Sequence, residues 1–266
     1  LSCTGHWETA YVGTLARNSG VGVTGEAVEE GAFHIPLQAV GHHRDDILQI
    51  EAIFMGQAGL LELNTIPERY QKDALNDGYF AKLRNEYKYL AHKFNLTPMD
   101  YRQWRFLRLR PQNFPHIRIS QLAHLYYQRK AGLSQLVEAA SVEDAKKVLA
   151  TAVTPYWETH YTFGSTSVRN DKNLSPFSLN LLCINTVVPI LFAYGRHRGE
   201  EKYCDRAFDF LEQLRPENNY IIRLWQQCGL VVDNAGDSQA LIQLKKEYCD
   251  KKECLRCRFG YEYLKL

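Results

Sequence analysis

Three cysteines near the C-terminus have the spacing of metal ligands. Cys249 is followed by Cys254, and Cys257 comes after two intervening residues. Two thiolates at that separation readily bind one ion, and a third nearby completes most of a tetrahedral site. Zinc or an iron–sulfur cluster needs a fourth ligand, for which Cys228 or a histidine is the candidate. The surrounding residues are cationic, which favours the thiolate form but also suits a plain basic tail. Thiol redox chemistry and ordinary free thiols are therefore the two alternatives.

A second pattern combines basic and aromatic side chains. Residues 82–130 hold 11 Lys/Arg against 2 Asp/Glu, a net charge of +9. Arginines interleaved with tyrosine and tryptophan are typical of surfaces that contact phosphates and stack on bases. The segment therefore predicts contact with DNA or RNA. The candidate residues are Arg102, Arg105, Arg108, Arg110 and Arg118.

The same charges support a different hypothesis. Residues 1–81 hold 4 Lys/Arg against 11 Asp/Glu, a net charge of −7. If this acidic segment neutralises the arginines, or if they pair with a partner, the chain is a protein–protein interaction or scaffolding domain that binds no nucleic acid.

The sequence contains no GxSxG, P-loop or HExxH pattern. Glu158 and His160 precede a polar stretch, residues 165–172, that we expect to be a mobile loop. An enzyme with a cleft near residues 158–172 is thus a third hypothesis. We expect the chain to be non-catalytic and assign no catalytic residue.

The longest apolar run, residues 174–195, is expected to form the centre of the fold. Ser175 and Pro176 predict a helix start, Gly195 predicts its end, and Pro189 predicts a kink. Because the apolar residues surround the whole helical wheel, the helix is expected to be buried on all sides. The run is shorter than a membrane span and contains Asn180 and Asn185, so we expect no membrane contact.

The other segments read as helices as well. Thr97 and Pro98 predict a helix that ends before Pro111, with Trp104 on its inner face and the arginines on its outer face. An extended loop and a helix over residues 118–130 follow. Sustained period-2 alternation is absent, which predicts an all-α, multi-helix bundle with little or no sheet.

Composition sets the remaining expectations. A hydrophobic fraction of 45% suits a globular protein, and we expect one helical domain over residues 1–266 with a subdivision near residues 131–155. Seven cysteines without a disulfide framework favour reduced thiols in the cytoplasm. The sequence starts at Leu1 and has no signal-peptide pattern, which suggests the C-terminal part of a longer protein.

Several motifs resemble one bacterial family. These are QIEAIFMGQAGLL (49–61), RPQNFPHIRISQLA (110–123), INTVVPILFAYG (184–195) and SQALIQLKKEYCDKKECLRCRFG (238–260). They are similar to the C-terminal half of proteins classed as domain of unknown function 2851. The resemblance implies no established activity. It also implies a missing N-terminal half as a partner, loosely similar to restriction-type nucleases, from which no catalytic position maps onto this sequence.

Overall fold

The computed structural model describes residues 46–104, 106, 109–128 and 133–264. The chain forms two compact units, Leu1–Thr186 and Val187–Leu266. The all-α prediction is confirmed, because the described residues are helical apart from one short hairpin and the connecting loops.

The first helix described, α1 (Ile47–Gln57), begins at Asp46, whose side chain accepts hydrogen bonds from the amides of Leu48 and Gln49. Every residue of α1 from Ile50 onward is buried. The helices that pack against it are α3 (Gly78–Phe94) and α4 (Pro115–Tyr127). These helices enclose the core of the first unit.

The remaining elements of the first unit are short. They comprise α2 (Glu68–Leu75), α5 (Leu133–Glu138), α6 (Val142–Leu149), α7 (Pro155–Glu158), strands β1 (His160–Thr162) and β2 (Ser165–Thr166), and α8 (Pro176–Leu182). The two strands pair antiparallel, with His160 opposite Thr166. The prediction of little or no sheet agrees with this two-stranded hairpin, which is the sheet found in the described residues.

The expectation of a helix from Thr97 and Pro98 to a point before Pro111 is wrong. A single 3-10 turn, Tyr101–Gln103, forms at this place, and Trp104 after it is extended. Trp104 is buried, and its indole N–H donates to the carbonyl of Ala58 at 2.7 Å. Burying this large ring takes precedence over continuing the helix, a tertiary contact that helical spacing cannot reveal.

The extended loop expected between the two prolines is also wrong. Pro111 begins the 3-10 turn Pro111–Asn113, and Pro115 is the first residue of α4. Proline is well suited to the first helical position, where its missing N–H has no partner to lose. Helix α4 therefore starts three residues earlier than position 118, and this start places Arg118 inside the helix.

The second unit contains α9 (Val188–Arg198), α10 (Glu201–Gln213), α11 (Tyr220–Gln227), α12 (Ala235–Gln243) and α13 (Arg258–Leu264). Gly195 does not end α9. It faces α10, where an added Cβ would lie 2.8 Å from the sulfur of Cys204. The helix ends at Gly199, which has the positive φ of 70° that favours glycine.

The expectation that residues 174–195 are buried on all sides is wrong at both ends. Phe177 is 58% exposed and Phe192 is 40% exposed, while residues 181–184 are buried. The π-helical turn Cys183–Val187 precedes Pro189. Such a turn is a common site of helix distortion, and its wider spacing accommodates the proline ring without ending the helix.

The expectation that this run is too short for a membrane span is wrong, because the helical stretch Pro176–Arg198 meets the length and composition of a membrane-crossing helix. Of its apolar window, 44% is buried. Core helices of globular proteins meet the same two criteria, so one such helix is weak grounds for a membrane span.

Candidate functional site: a pocket beside the basic segment

A buried carboxylic acid lies at the centre of the first unit. Glu51 on α1 is 0% exposed and accepts hydrogen bonds from the hydroxyls of Tyr79 and Thr154 and from the indole N–H of Trp157. Burial raises the pKa of Glu51 to about 7, and these donors counteract the rise. Residues from α1, α3 and α7 are thus tied together through one acid.

A stack of three rings extends from this cluster. The ring of Tyr156 is parallel to that of Tyr79, at 4.3 Å, and to that of His160, at 4.0 Å. Its hydroxyl donates to Asp77, which also caps α3. Burial and this carboxylate raise the pKa of Tyr156, so its hydroxyl stays protonated and remains a donor.

His116 on α4 lies in an aromatic environment. Its ring packs against Phe106, Trp157 and Phe163 at centroid distances of 5.4–5.8 Å. It is 1% exposed, and neither ring nitrogen has a hydrogen-bond partner among the described residues. Burial lowers the pKa of His116 to about 3, so the imidazole is neutral.

A pocket of about 630 Å³ opens beside this core. One side is formed by the start of α2 and the loop before it, a second by the segment that leads into α4, and a third by the β-hairpin. Its lining residues are Asn64, Thr65, Ile66, Pro67, Glu68, Arg69, Tyr70, Gln71, Phe106, Pro111, Phe114, Tyr161, Thr162, Ser165 and Thr166. Aromatic rings, hydroxyl and amide groups and the charged side chains of Glu68 and Arg69 thus line one concavity.

Two contacts hold the pocket walls in place. The rings of Phe106 and Phe114 meet edge to face at 5.4 Å. On the opposite side Gly164, at φ 74°, lets the hairpin turn approach α2, because a Cβ there would lie 2.4 Å from the carbonyl oxygen of Tyr70. Only a residue without a side chain fits this approach without strain.

Two of the predicted arginines lie at the surface. Arg102 is exposed and pairs with Asp100 at 2.8 Å. Arg110 is exposed and directly precedes Pro111 of the pocket lining. Arg105 and Arg108 lie outside the described residues.

Arg118 was expected on the outer surface, and this is wrong. It is 9% exposed, and its guanidinium donates to Gln121 at 2.9 Å and to Asn113 at 2.6 Å. The reason is that α4 is covered on all sides at its start, since every residue from Pro115 to Ala123 is buried. Arg118 therefore contributes to internal packing and not to an exposed basic surface.

The candidate cysteines lie in the second unit. Cys257 is buried, while Cys228, Cys249 and Cys254 are exposed, and each is a free thiol. Burial and the neighbouring Cys257 and Cys254 raise the pKa of Cys249. Within the described part of the chain, no group of three or more His, Cys, Asp or Glu residues is arranged to hold a metal. Zinc or iron–sulfur binding stays a prediction.

The residues proposed for a catalytic cleft are engaged in other contacts. The carboxylate of Glu158 pairs with Arg169 at 2.7 Å, and His160 Nδ1 lies 2.9 Å from the carbonyl oxygen of Tyr156. The pocket is lined from this hairpin by Tyr161, Thr162, Ser165 and Thr166, and neither Glu158 nor His160 is among its lining residues. A catalytic role for the cleft stays a prediction.

Sequence reasoning missed Glu51 and Lys172, two of the buried charged residues in the described part of this unit. The position of Glu51 in QIEAIFMGQAG was the available signal, because a lone acid within an apolar helix must find donors. Lys172 lies in a polar stretch, and nothing in its sequence surroundings distinguishes it from a surface lysine.

Comparison with known proteins gives one family. A model described as "Protein of unknown function (DUF2851)" matches residues 1–220. The match is not restricted to a C-terminal half, which corrects that part of the expected resemblance, and the cysteine-rich motif at residues 238–260 lies beyond it. No curated protein and no solved structure matches the chain.

Proposed function

Because the chain belongs to the DUF2851 family, for which no activity is described, we propose a function from its geometry: the first unit binds single-stranded nucleic acid and takes one unstacked base into the pocket. The observation that carries this proposal is that the basic segment supplies part of the pocket wall through Phe106, Pro111 and Phe114.

The size and chemistry of the pocket support a planar ligand. A volume of about 630 Å³ is typical of sites that enclose a small organic group. Phe106, Phe114 and Tyr161 offer ring faces or edges, and stacking of bases on aromatic rings tolerates any base. The side chains of Asn64 and Thr166 make no hydrogen bond within the described residues and are available to a base edge.

Exposed positive charges near the pocket are suited to contact the phosphate backbone of the ligand. Arg110 is exposed and directly precedes the lining residue Pro111. Arg69, itself a lining residue, is exposed with its guanidinium 4.6 Å from the ring centre of Tyr70. Neither arginine has an ion pair with a described residue. Cations close to an aromatic pocket match the neighbouring base and phosphate groups of a single strand.

The scaffolding hypothesis has one observation in its favour. Arg84, within the basic segment, lies 3.8 Å from Glu62 of the acidic first segment. Glu62 is exposed, Arg84 is half-buried and the 3.8 Å distance is long for an ion pair, so this one contact neutralises little of the net charge of the segment. Scaffolding without nucleic-acid contact predicts no oligonucleotide binding at any salt concentration.

The test is fluorescence anisotropy with a labelled, mixed-sequence single-stranded RNA and the matching DNA at low salt. We expect binding that weakens with salt, and we expect Phe106→Ala to weaken it about tenfold, the loss of one stacked base. Phe177→Ala, which truncates an exposed phenylalanine outside the pocket, is the matched control. Absence of binding at low salt, or equal affinity of Phe106→Ala and wild type, contradicts the proposal.

A further inference from the structure

Lys172 is a buried lysine with every donor occupied. It is 5% exposed, and its ammonium group donates to the backbone carbonyls of Trp157, of Glu158 at 3.0 Å and of His160 at 3.2 Å. An ammonium group has three N–H donors, so these carbonyls use all of them. Lysine is rarely buried without such compensation.

The same ammonium faces an aromatic ring of the pocket. Its nitrogen lies 4.1 Å from the ring centre of Tyr161. Three carbonyl dipoles and one ring face therefore converge on a single positive charge, an arrangement that favours a cation. The three carbonyls belong to the corner between α7 and β1, and the residues that follow, Tyr161 and Thr162, line the pocket.

The backbone of Lys172 is itself held from two sides. Its φ of 47° lies in the left-handed region, which non-glycine residues occupy only when the surroundings enforce it. The amide donates to the side chain of Asn170 at 2.8 Å, and the carbonyl accepts from the side chain of Gln121 at 2.7 Å. Arg118 in turn donates to Gln121. A chain of contacts thus runs from α4 to the corner.

We propose that Lys172 is a positioning residue for the pocket. Its ammonium acts as an internal cation that gathers the carbonyls of residues 157–160 and so fixes Tyr161 and Thr162 in the pocket wall. The inference deepens the proposed function and rests on it where ligand affinity is concerned, whereas its effect on the hairpin holds whatever the ligand is.

Two substitutions separate the charge from the packing. Lys172→Met keeps an unbranched stem but cannot donate, while Lys172→Ala leaves a space that propylammonium matches in length and charge. Propanol has a similar size without the charge and serves as the solute control. Lys147→Ala, which removes a lysine side chain that is 77% exposed, is the matched control variant.

The first measurement is amide hydrogen exchange in the unliganded protein. The hairpin region has two reporters, the amides of Ser167, bonded to Thr159 at 2.7 Å, and of Asn170, bonded to Glu158 at 2.9 Å. We expect Lys172→Met and Lys172→Ala to speed exchange at both amides about tenfold or more. Local opening of the hairpin region costs less free energy in these variants, because it no longer breaks the ammonium contacts. Propylammonium, and not propanol, should restore protection in Lys172→Ala.

The second measurement is oligonucleotide affinity. We expect about tenfold weaker binding by both variants, with recovery of Lys172→Ala in propylammonium. Unchanged hairpin exchange, or faster exchange with unchanged affinity, overturns the proposal. Faster exchange throughout the unit without recovery in propylammonium also overturns it, since Lys172 is then a general stabilising residue. Failure of the wild type to bind refutes the proposed function instead, and exchange alone then decides the role of Lys172.

Discussion

The hydroxyl of Thr154 donates a 2.8 Å hydrogen bond to the carboxyl group of Glu51, 103 residues earlier in the chain. This bond joins the loop before α7 to the buried helix α1. Because Tyr79 and Trp157 donate to the same acid, one side chain connects three segments that are distant in sequence. Glu51 is therefore the position at which we expect substitution to be most informative about stability.

The first prediction concerns the hydrogen-bonding capacity of Glu51. Glu51→Ala leaves the indole N–H of Trp157 buried without an acceptor, and we expect a loss of about 3 kcal/mol or more in the free energy of unfolding. Glu51→Gln keeps an acceptor for Trp157, and the hydroxyls of Tyr79 and Thr154 can rotate to accept from its amide. Chemical denaturation at pH 5 should show Glu51→Gln within about 1 kcal/mol of wild type. Equal losses in both variants would contradict this role.

The second prediction concerns pH. The pKa of Glu51 is about 7 in the folded state against 4.5 for the ordinary group, so the folded protein holds a proton that the unfolded chain releases between these values. This contribution to stability is fully present below pH 4.5 and is lost as pH rises through 7, by about 3 kcal/mol in total. Stability curves of wild type and Glu51→Gln should therefore diverge from pH 5 to pH 8, with the variant more stable at pH 8. Parallel curves would refute the shift.

His116 acts in the opposite direction. Its folded-state pKa of about 3 lies below the ordinary value of 6.5, so its contribution is present above pH 6.5 and is lost as pH falls toward 3. In wild type, the stability gained from Glu51 as pH falls offsets the stability lost from His116. Glu51→Gln lacks this gain, so we expect its stability to fall steadily on acidification below pH 6.5. A flat acidic limb in that variant would show that His116 is accessible to protons in the folded state.

The third prediction tests the close approach of the hairpin to α2. Gly164→Ala places a methyl group against the carbonyl of Tyr70 at a positive φ, and we expect it to cost about 2 kcal/mol or more. Gly78→Ala is the matched control, since a Cβ at Gly78 meets nothing within 4 Å and alanine favours the helix that it begins. Thermal unfolding should lower the Tm of the first variant only, and equal Tm values would contradict the packing described.

The fourth prediction compares the roles of Arg102 and Arg110, the two predicted contact residues that lie at the surface in the described part of the chain. Arg110 has no ion-pair partner among the described residues, so Arg110→Ala should reduce the dependence of log affinity on log salt by about 0.7, one phosphate contact with a single strand. Arg102 already pairs with Asp100, so Arg102→Ala should change this slope less. The measurement is a salt titration of oligonucleotide binding. A larger effect from Arg102 would place the strand on the other side of the segment.

Local patterns predicted a helix start where nearby residues set it. Ser175 caps α8 and Pro176 is the first residue of that helix, as the sequence indicates. The failures occurred where a distant partner decides the outcome, as when the carbonyl of Ala58 binds Trp104 in place of a continuing helix. The pocket could not be predicted for the same reason, because its three walls come from segments separated by 35 residues or more.

The ammonium of Lys172 has one more consequence, which concerns the ionic composition of the surroundings. Converging backbone carbonyls can bind alkali-metal cations from solution, as they do in the filters of potassium channels. Here the ammonium group of Lys172 occupies that place and is part of the chain. Replacing sodium by potassium in the buffer should therefore leave the hairpin unaltered. A salt titration of this protein consequently reports on the ligand's charges and not on a changing pocket.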